Sequence, residues 1–301
     1  IIGNKGPSRY FAKRKIDMEI KDKTILITGA SDGIGKETAL RIAAHGTKII
    51  LVGRNEEKTK GVVNEIVKTT NNEKVDYFIA DLSDQNQVRV LAEKIKEKYS
   101  RLEILFNNAG ATFRSWKLTS DDIERTFALN HLSYFLMTYL LMDLIKESGP
   151  ARIINTSSSG HRTGVIHFDN LNLEKEYSLM KAYRQSKLGN VMFTYELARK
   201  MAGTEVTVNA LHPGLVKTNI GIPEWGLIGK LLKPVIFRNA ISVEEGSKTS
   251  IYLIESDEVE KVSGKYFYKS KEMNTNEASY IVEDQKRLWE VSEGLTGVHW
   301  E

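Results

Sequence analysis

The chain has 301 residues, 41% hydrophobic and 27% charged, with a formal net charge of +4 at pH 7. Such a composition belongs to a globular protein and excludes a chain disordered throughout, and the mild basic excess is not the footprint of a dedicated nucleic-acid binder. Cysteine is absent, which excludes disulfides, thiolate metal sites and thiol nucleophiles, and the six histidines have no paired spacing, so no metal site is expected.

Residues 1–21 read as a polar, basic leader without a signal-peptide core. Thr24–Thr28 is a short apolar, β-branched strand, followed by a glycine-rich turn and a helix to about His45. Lys48–Val52 is a second strand, Asn55–Thr70 a helix, Val75–Ala80 a third strand, and Ser83–Tyr99 a helix with Ser83 as its N-cap. Leu102–Phe106 is a fourth strand, and a long helix over Thr119–Glu147 is apolar almost all round from Phe127 onward. Its stretch Leu132–Ile145 contains Asp143 and is shorter than the roughly 20 apolar residues a membrane span needs. Arg152–Asn155 is a fifth strand, Tyr177–Met201 a helix, Val206–Ala210 a sixth strand, Ser242–Glu255 a helix, Lys265–Tyr268 a seventh strand and Ile281–Ser292 a last helix.

Apolar strands alternating with amphipathic helices predict one α/β domain over residues 22–301: a single doubly wound parallel sheet of seven strands with helices on both faces, the Rossmann arrangement. The irregular apolar stretch at about 214–240 reads as a lid or substrate wall.

Thr28-Gly29-Ala30-Ser31-Asp32-Gly33-Ile34-Gly35 lies between the first strand and the first helix. Taken alone, three glycines mark only a turn. Placed at the head of a βαβ series, they leave room for a pyrophosphate at a helix N-terminus. Tyr183 and Lys187, four apart, share one helix face. A free Tyr titrates near 10, and a cation beside it lowers that value toward working pH. Asn130, inside an apolar helix, needs a polar reason to be there.

The TGxxxGxG spacing resembles the short-chain dehydrogenase/reductase family. Further runs agree in order over roughly residues 22–270: Asp81-Leu82, Asn107-Asn108-Ala109-Gly110, Asn155-Thr156-Ser157-Ser158-Ser159, Tyr183-Arg184-Gln185-Ser186-Lys187 and His212-Pro213-Gly214. The resemblance implies a nicotinamide cofactor held by Gly29, Ser31, Asp32, Gly33, Ile34 and Gly35. Asp81 and Leu82 would lie at its adenine, Asn108, Ala109 and Gly110 along its middle, Tyr183 and Lys187 at its ribose, and Pro213, Gly214, Val216 and Thr218 at its amide. It implies Tyr183 as proton donor, tuned by Lys187. Ser158, with Ser157 next, would hold the reacting oxygen. Asn130 would kink its helix and support a proton relay through water. Flanking runs at Gly33–Ala39, Asn130–Leu141 and Ser263–Phe267, with the long gap before Tyr183, are similar to the retinol dehydrogenase branch. Members of that branch act on retinal and other apolar carbonyls and are often membrane-anchored; no such anchor is expected within these 301 residues.

Gly53 stands where NAD-selective relatives carry an Asp, and Arg54 could clamp a 2′-phosphate. NADP(H) is therefore expected, while Asp32 keeps NAD(H) open. Ile220, Ile222, Trp225 and Leu227 in the lid point to an apolar aldehyde, ketone or alcohol. The same residues would also suit plain packing, or a peripheral membrane contact flanked by Lys230 and Lys233. A cytoplasmic location is expected. A second apolar face on the long helix would suit a homodimer. The competing functions are a non-catalytic NADP-binding regulator and an epimerase or dehydratase. The Asn130, Ser158, Tyr183 and Lys187 set opposes the first and the turn spacing opposes the second.

Overall fold

The computed structural model describes residues 20–217 and 240–300. Residues 1–19, Thr218 and most of the expected lid lie outside the described residues.

The strands are β1 (Thr24–Thr28), β2 (Lys48–Gly53), β3 (Val75–Ile79), β4 (Ile104–Asn107), β5 (Ala151–Thr156), β6 (Val206–His212), β7 (Lys265–Tyr268) and β8 (Lys271–Glu272). They form one sheet in the order β3-β2-β1-β4-β5-β6-β7-β8, parallel except for β8. The order reverses between β1 and β4, and the cleft beyond their carboxyl ends is where an open α/β sheet binds ligands.

Alternation along each strand builds two cores. Ile25, Ile27, Ile49, Leu51, Ile104, Phe106 and Ile154 face α1 (Gly33–Ala43), α2 (Glu56–Thr70) and α8 (Val243–Glu255). Leu26, Ile50, Val52, Leu105 and Ile153 face α3 (Gln85–Lys98), α5 (Ser133–Leu140), α6 (Met142–Glu147) and α7 (Leu179–Lys200). All twelve of these strand side chains are essentially without solvent contact, each stabilising the fold by about 1.5–3 kcal/mol.

Three expectations change. The sheet has eight strands, not seven, because Lys269 and Ser270 both adopt φ near +50° to +60° and turn β7 back into β8. The third helix is capped by Asp84, whose carboxylate accepts from the Gln87 amide; Ser83 instead donates to Asp81. The helix expected over Thr119–Glu147 starts only at Arg125, where the buried Glu124 carboxylate caps α4 (Arg125–Phe127), and then widens into a π segment, Ala128–Leu132. The apolar helix after the π segment also packs against the C-terminal segment. Trp289, on α9 (Val282–Thr296), and Trp300 pack edge-on to Phe135 at 5.0 and 5.9 Å. Among the described residues no helix is long and apolar enough to cross a membrane.

Candidate active site

The glycine turn rises from β1 into α1. Gly29 has φ +64°, and a Cβ on it would lie 2.7 Å from the Ala109 Cα. A Cβ on Gly35 would lie 2.5 Å from the Gly29 carbonyl oxygen and 2.6 Å from Asn108 Nδ2. The turn thus folds tightly against the Asn107–Gly110 run at the end of β4. Asn108 braces it, with Nδ2 donating to the carbonyls of Thr28 (3.0 Å) and Gly29 (3.3 Å). Thr28 Oγ1 accepts from the amides of Asn108 and Ala109 at 2.9 and 3.0 Å. Asp32 caps α1 by accepting from the Gly33 amide at 2.7 Å, and Ile34 turns into the core. This cradle, open at a helix N-terminus and free of side chains at its closest approaches, fits a dinucleotide pyrophosphate.

At the end of β2, a Cβ on Gly53 would lie 2.2 Å from Thr59 Oγ1 and 3.3 Å from Ser31 Cβ. A side chain there would have to displace the Thr59 hydroxyl. Arg54, 70% exposed, reaches out beside Asp81, with Nη1 3.6 Å from Oδ2. Asp81 also caps its own turn through Ser83, and Leu82 is buried in the core. Across the cleft, Gly214 follows β6 and Pro213 with φ +95°, its amide donating to His212 Nδ1 at 3.0 Å. Val216 bridges to Ile241. Thr218 lies outside the described residues.

Tyr183 and Lys187 project from α7, which Ser178 caps by accepting from the Lys181 amide. The Ser158 hydroxyl accepts from the Gly160 amide at 3.2 Å, and a Cβ on Gly160 would lie 3.4 Å from the Tyr183 ring, which puts Ser158 on the Tyr183 side of the cleft. Ser157 is turned away, donating to the Lys187 carbonyl at 2.8 Å. Lys187, 3% exposed, donates from Nζ to the Thr156 carbonyl at 3.0 Å. Its Nζ lies 5.8 and 5.7 Å from the ring centres of Tyr183 and Tyr134. Burial pulls the Lys187 ammonium down to about 7. Burial also raises the Tyr183 phenol, against the lowering by Ser158. The direction is opposite to the one expected from a neighbouring cation, because the burial of Tyr183 itself dominates.

Asn130 sits in the π segment, fully buried. Its Oδ1 accepts from the Ala111 amide at 2.9 Å and its Nδ2 donates to the Ala111 carbonyl at 3.0 Å, clasping the loop that leaves Gly110. A Cβ on Gly110 would lie 3.2 Å from Asn130 Oδ1 and 3.5 Å from Lys187 Nζ. The structure therefore gathers Asn130, Ser158, Tyr183, Lys187 and Gly110 at one end of the cleft.

The segment before Tyr183 is stitched to the loop after Gly110. Trp116 Nε1 donates to the Asn172 carbonyl at 2.8 Å, and the Tyr177 hydroxyl donates to the Phe113 carbonyl at 2.5 Å. Ile166, Phe168 and Leu171 anchor it against Phe127, Leu132 and Leu188. Trp116, Val165, Met180 and Leu215 stay exposed on the segments flanking the cleft. Sequence reasoning missed Tyr134, Asn190 and His161. Tyr134 donates to the Ala109 carbonyl at 2.8 Å, and His161 Nδ1 lies 2.6 Å from the Ser158 carbonyl. The signal was available for Tyr134, which is one helical turn beyond Asn130, and for Asn190, a polar residue in an apolar run three positions after Lys187.

The chain is similar to curated proteins over nearly its whole length. Retinol dehydrogenase 12 of Mus musculus is 39% identical over 287 residues, covering 95% of this chain and 90% of that protein. Polyprenol dehydrogenase of Homo sapiens is 38% identical, covering 92% and 86%. A short chain dehydrogenase of Escherichia coli, solved in complex with NADPH, aligns with a TM-score of 0.66 and 25% identity, covering 85% of this chain and all of that one. A family model described as short chain dehydrogenase matches residues 23–225. With the glycine cradle at the sheet's switch point and Ser158, Tyr183 and Lys187 converging beside it, the chain belongs to the short-chain dehydrogenase family.

Proposed function

We propose that the chain is an NADP(H)-dependent oxidoreductase acting on an apolar aldehyde or ketone, or on the matching alcohol, of the size of retinal or a polyprenal. The observation that carries this reading is the gathering of Lys187, 5.8 Å from the Tyr183 ring, and of Ser158, joined to that ring's neighbour Gly160, beside a cradle that only glycines allow. The cofactor, when bound, supplies or accepts the hydride at the nicotinamide C4.

The chain's own residues do the rest. Burial keeps the Tyr183 hydroxyl protonated, so it gives up its proton to an oxygen made basic by hydride addition. Ser158 steadies the same oxygen. Lys187, near 7, is poised to pass protons at neutral pH. Asn130 holds the loop after Gly110, and with it the floor beside Lys187. Arg54 favours NADP(H), because a guanidinium pairs with a 2′-phosphate while Gly53 offers no ribose-binding carboxylate and any side chain there would meet the Thr59 hydroxyl. The exposed apolar side chains on the flanking segments, and the names of the relatives, favour an apolar substrate.

The test is consumption of NADPH and of NADH by the purified chain with all-trans-retinal, long-chain aldehydes and polar sugars as alternatives. Turnover with the apolar carbonyls and NADPH is the expected result. Turnover confined to polar carbonyls would contradict the substrate class, and equal use of NADH would contradict the cofactor.

A further inference from the structure

Behind the Ser158–Tyr183–Lys187 group lies a buried polar side chain that the proposed chemistry leaves unused. Asn190 stands on α7, three residues after Lys187, with no solvent contact. Its Nδ2 donates to two carbonyls at once, that of Asn130 in the π segment at 2.8 Å and that of Thr156 at the end of β5 at 3.0 Å. The Thr156 oxygen is the one that Lys187 Nζ also grips, at 3.0 Å.

The amide is held in this orientation from its other side. Asn190 Oδ1 lies 3.3 Å from His131 Nδ1, and because both Nδ2 protons are already committed, Oδ1 must accept and His131 must carry its proton on Nδ1. His131 Nε2 in turn lies 3.1 Å from Ser292 Oγ on α9. A carbonyl oxygen has two lone pairs. Two donors on Thr156 therefore fix each other's direction, and the place of the Lys187 nitrogen is set jointly with Asn190.

We propose that Asn190 is a positioning residue for Lys187: it shares the Thr156 carbonyl with the Lys187 nitrogen, fixing where that nitrogen sits, and it locks this seat to the π segment through the Asn130 carbonyl. The inference rests on Lys187 acting at the reaction centre. Without the Asn190 amide, the Thr156 oxygen serves Lys187 alone, and the positive N–H pole beside the lysine is gone. Both changes raise the affinity of Lys187 for its proton and draw its nitrogen toward β5, away from Tyr183.

The test compares Asn190→Leu, similar in size but without hydrogen bonds, and Asn190→Ser, which keeps one hydroxyl and leaves room for a water. NADPH oxidation with the best apolar carbonyl is followed from about pH 5.5 to about 9. For Asn190→Leu the expected kcat falls at least about 10-fold, with KM for NADPH and for the carbonyl within about threefold, and the midpoint of the kcat–pH curve moves upward by about half a unit or more. Asn190→Ser is expected to recover part of kcat. A kcat within about twofold of wild type with an unmoved midpoint, even alongside a lower melting temperature, would overturn the proposal. If Asn190→Leu does not fold, Asn190→Ser decides by the same two readouts. A wild-type chain without turnover on any carbonyl contradicts the reading of function instead. The pH dependence of NADPH affinity then replaces kcat: a midpoint displaced in Asn190→Ser supports the inference, and an identical one overturns it.

Discussion

His131 should make the protein lose stability on mild acidification. The ring is fully buried between Phe127, Phe193 and the Asn190 amide, and burial holds it down to about 4, below its ordinary 6.5. Between these values the unfolded chain binds a proton that the folded chain refuses. Its contribution is therefore complete above about pH 6.5 and is lost as the pH falls toward about 4, at up to about 1.4 kcal/mol per unit. At pH 5 the accumulated loss is about 2 kcal/mol. Replacing His131 by Gln removes the titration while keeping an amide able to donate to Asn190. Urea unfolding, followed by the fluorescence of Trp289 and Trp300, gives the difference in stability between the two chains. That difference cancels His161 and His212, which burial also lowers and which both chains retain. At pH 7.5 the variant should be the weaker by about 1–3 kcal/mol, and at pH 5 this gap should shrink by about 2 kcal/mol. A gap unchanged between the two pH values would refute the argument that His131 is held neutral by burial.

Gly35→Ala should abolish measurable NADPH binding in a fluorescence titration, because its methyl group meets the Gly29 carbonyl oxygen at 2.5 Å inside the cradle; binding within threefold of wild type would contradict the cradle's placement. Arg54→Ala should weaken NADPH binding by about 10- to 100-fold and NADH binding by less than about threefold, as expected for one charge-assisted contact to a phosphate, and equal losses would contradict the assignment. Trp289→Ala should cost about 3–5 kcal/mol in urea unfolding, since the indole packs against Phe135, Phe193 and Trp300 within 6 Å; a loss below about 1 kcal/mol would show that α9 does not pack against α5 as described.

Elements fixed by local pattern were read closely from the sequence. The β1 and β7 boundaries were placed to the residue, and the run from Thr28 to Gly35 announced its turn because strand, glycines and helix stand in direct succession. Helical spacing alone puts Tyr183 and Lys187 on one face. The π segment at Asn130 was hidden within a continuous apolar stretch, where an extra residue in one turn changes no polarity pattern. The β8 hairpin escaped because Lys269-Ser270 carries none of the Asn-Gly chemistry that usually marks a turn with two positive φ angles. The cover supplied by α9, and the opposed directions of Ser157 and Ser158, depend on tertiary packing between segments far apart in the chain. The direction of the Tyr183 shift depends on how deeply Tyr183 is buried, which a spacing of four residues does not encode.

The measurement that tests the central claim most directly is the rate of NADPH oxidation by Tyr183→Phe with the best apolar carbonyl, alongside its NADPH affinity. The phenylalanine keeps the ring beside Lys187 and removes only the proton donor. Affinity within about threefold of wild type with kcat lowered by about 10²-fold or more is the predicted result. A kcat within about twofold of wild type would contradict the assignment of Tyr183 as proton donor, and with it the proposed chemistry of the site.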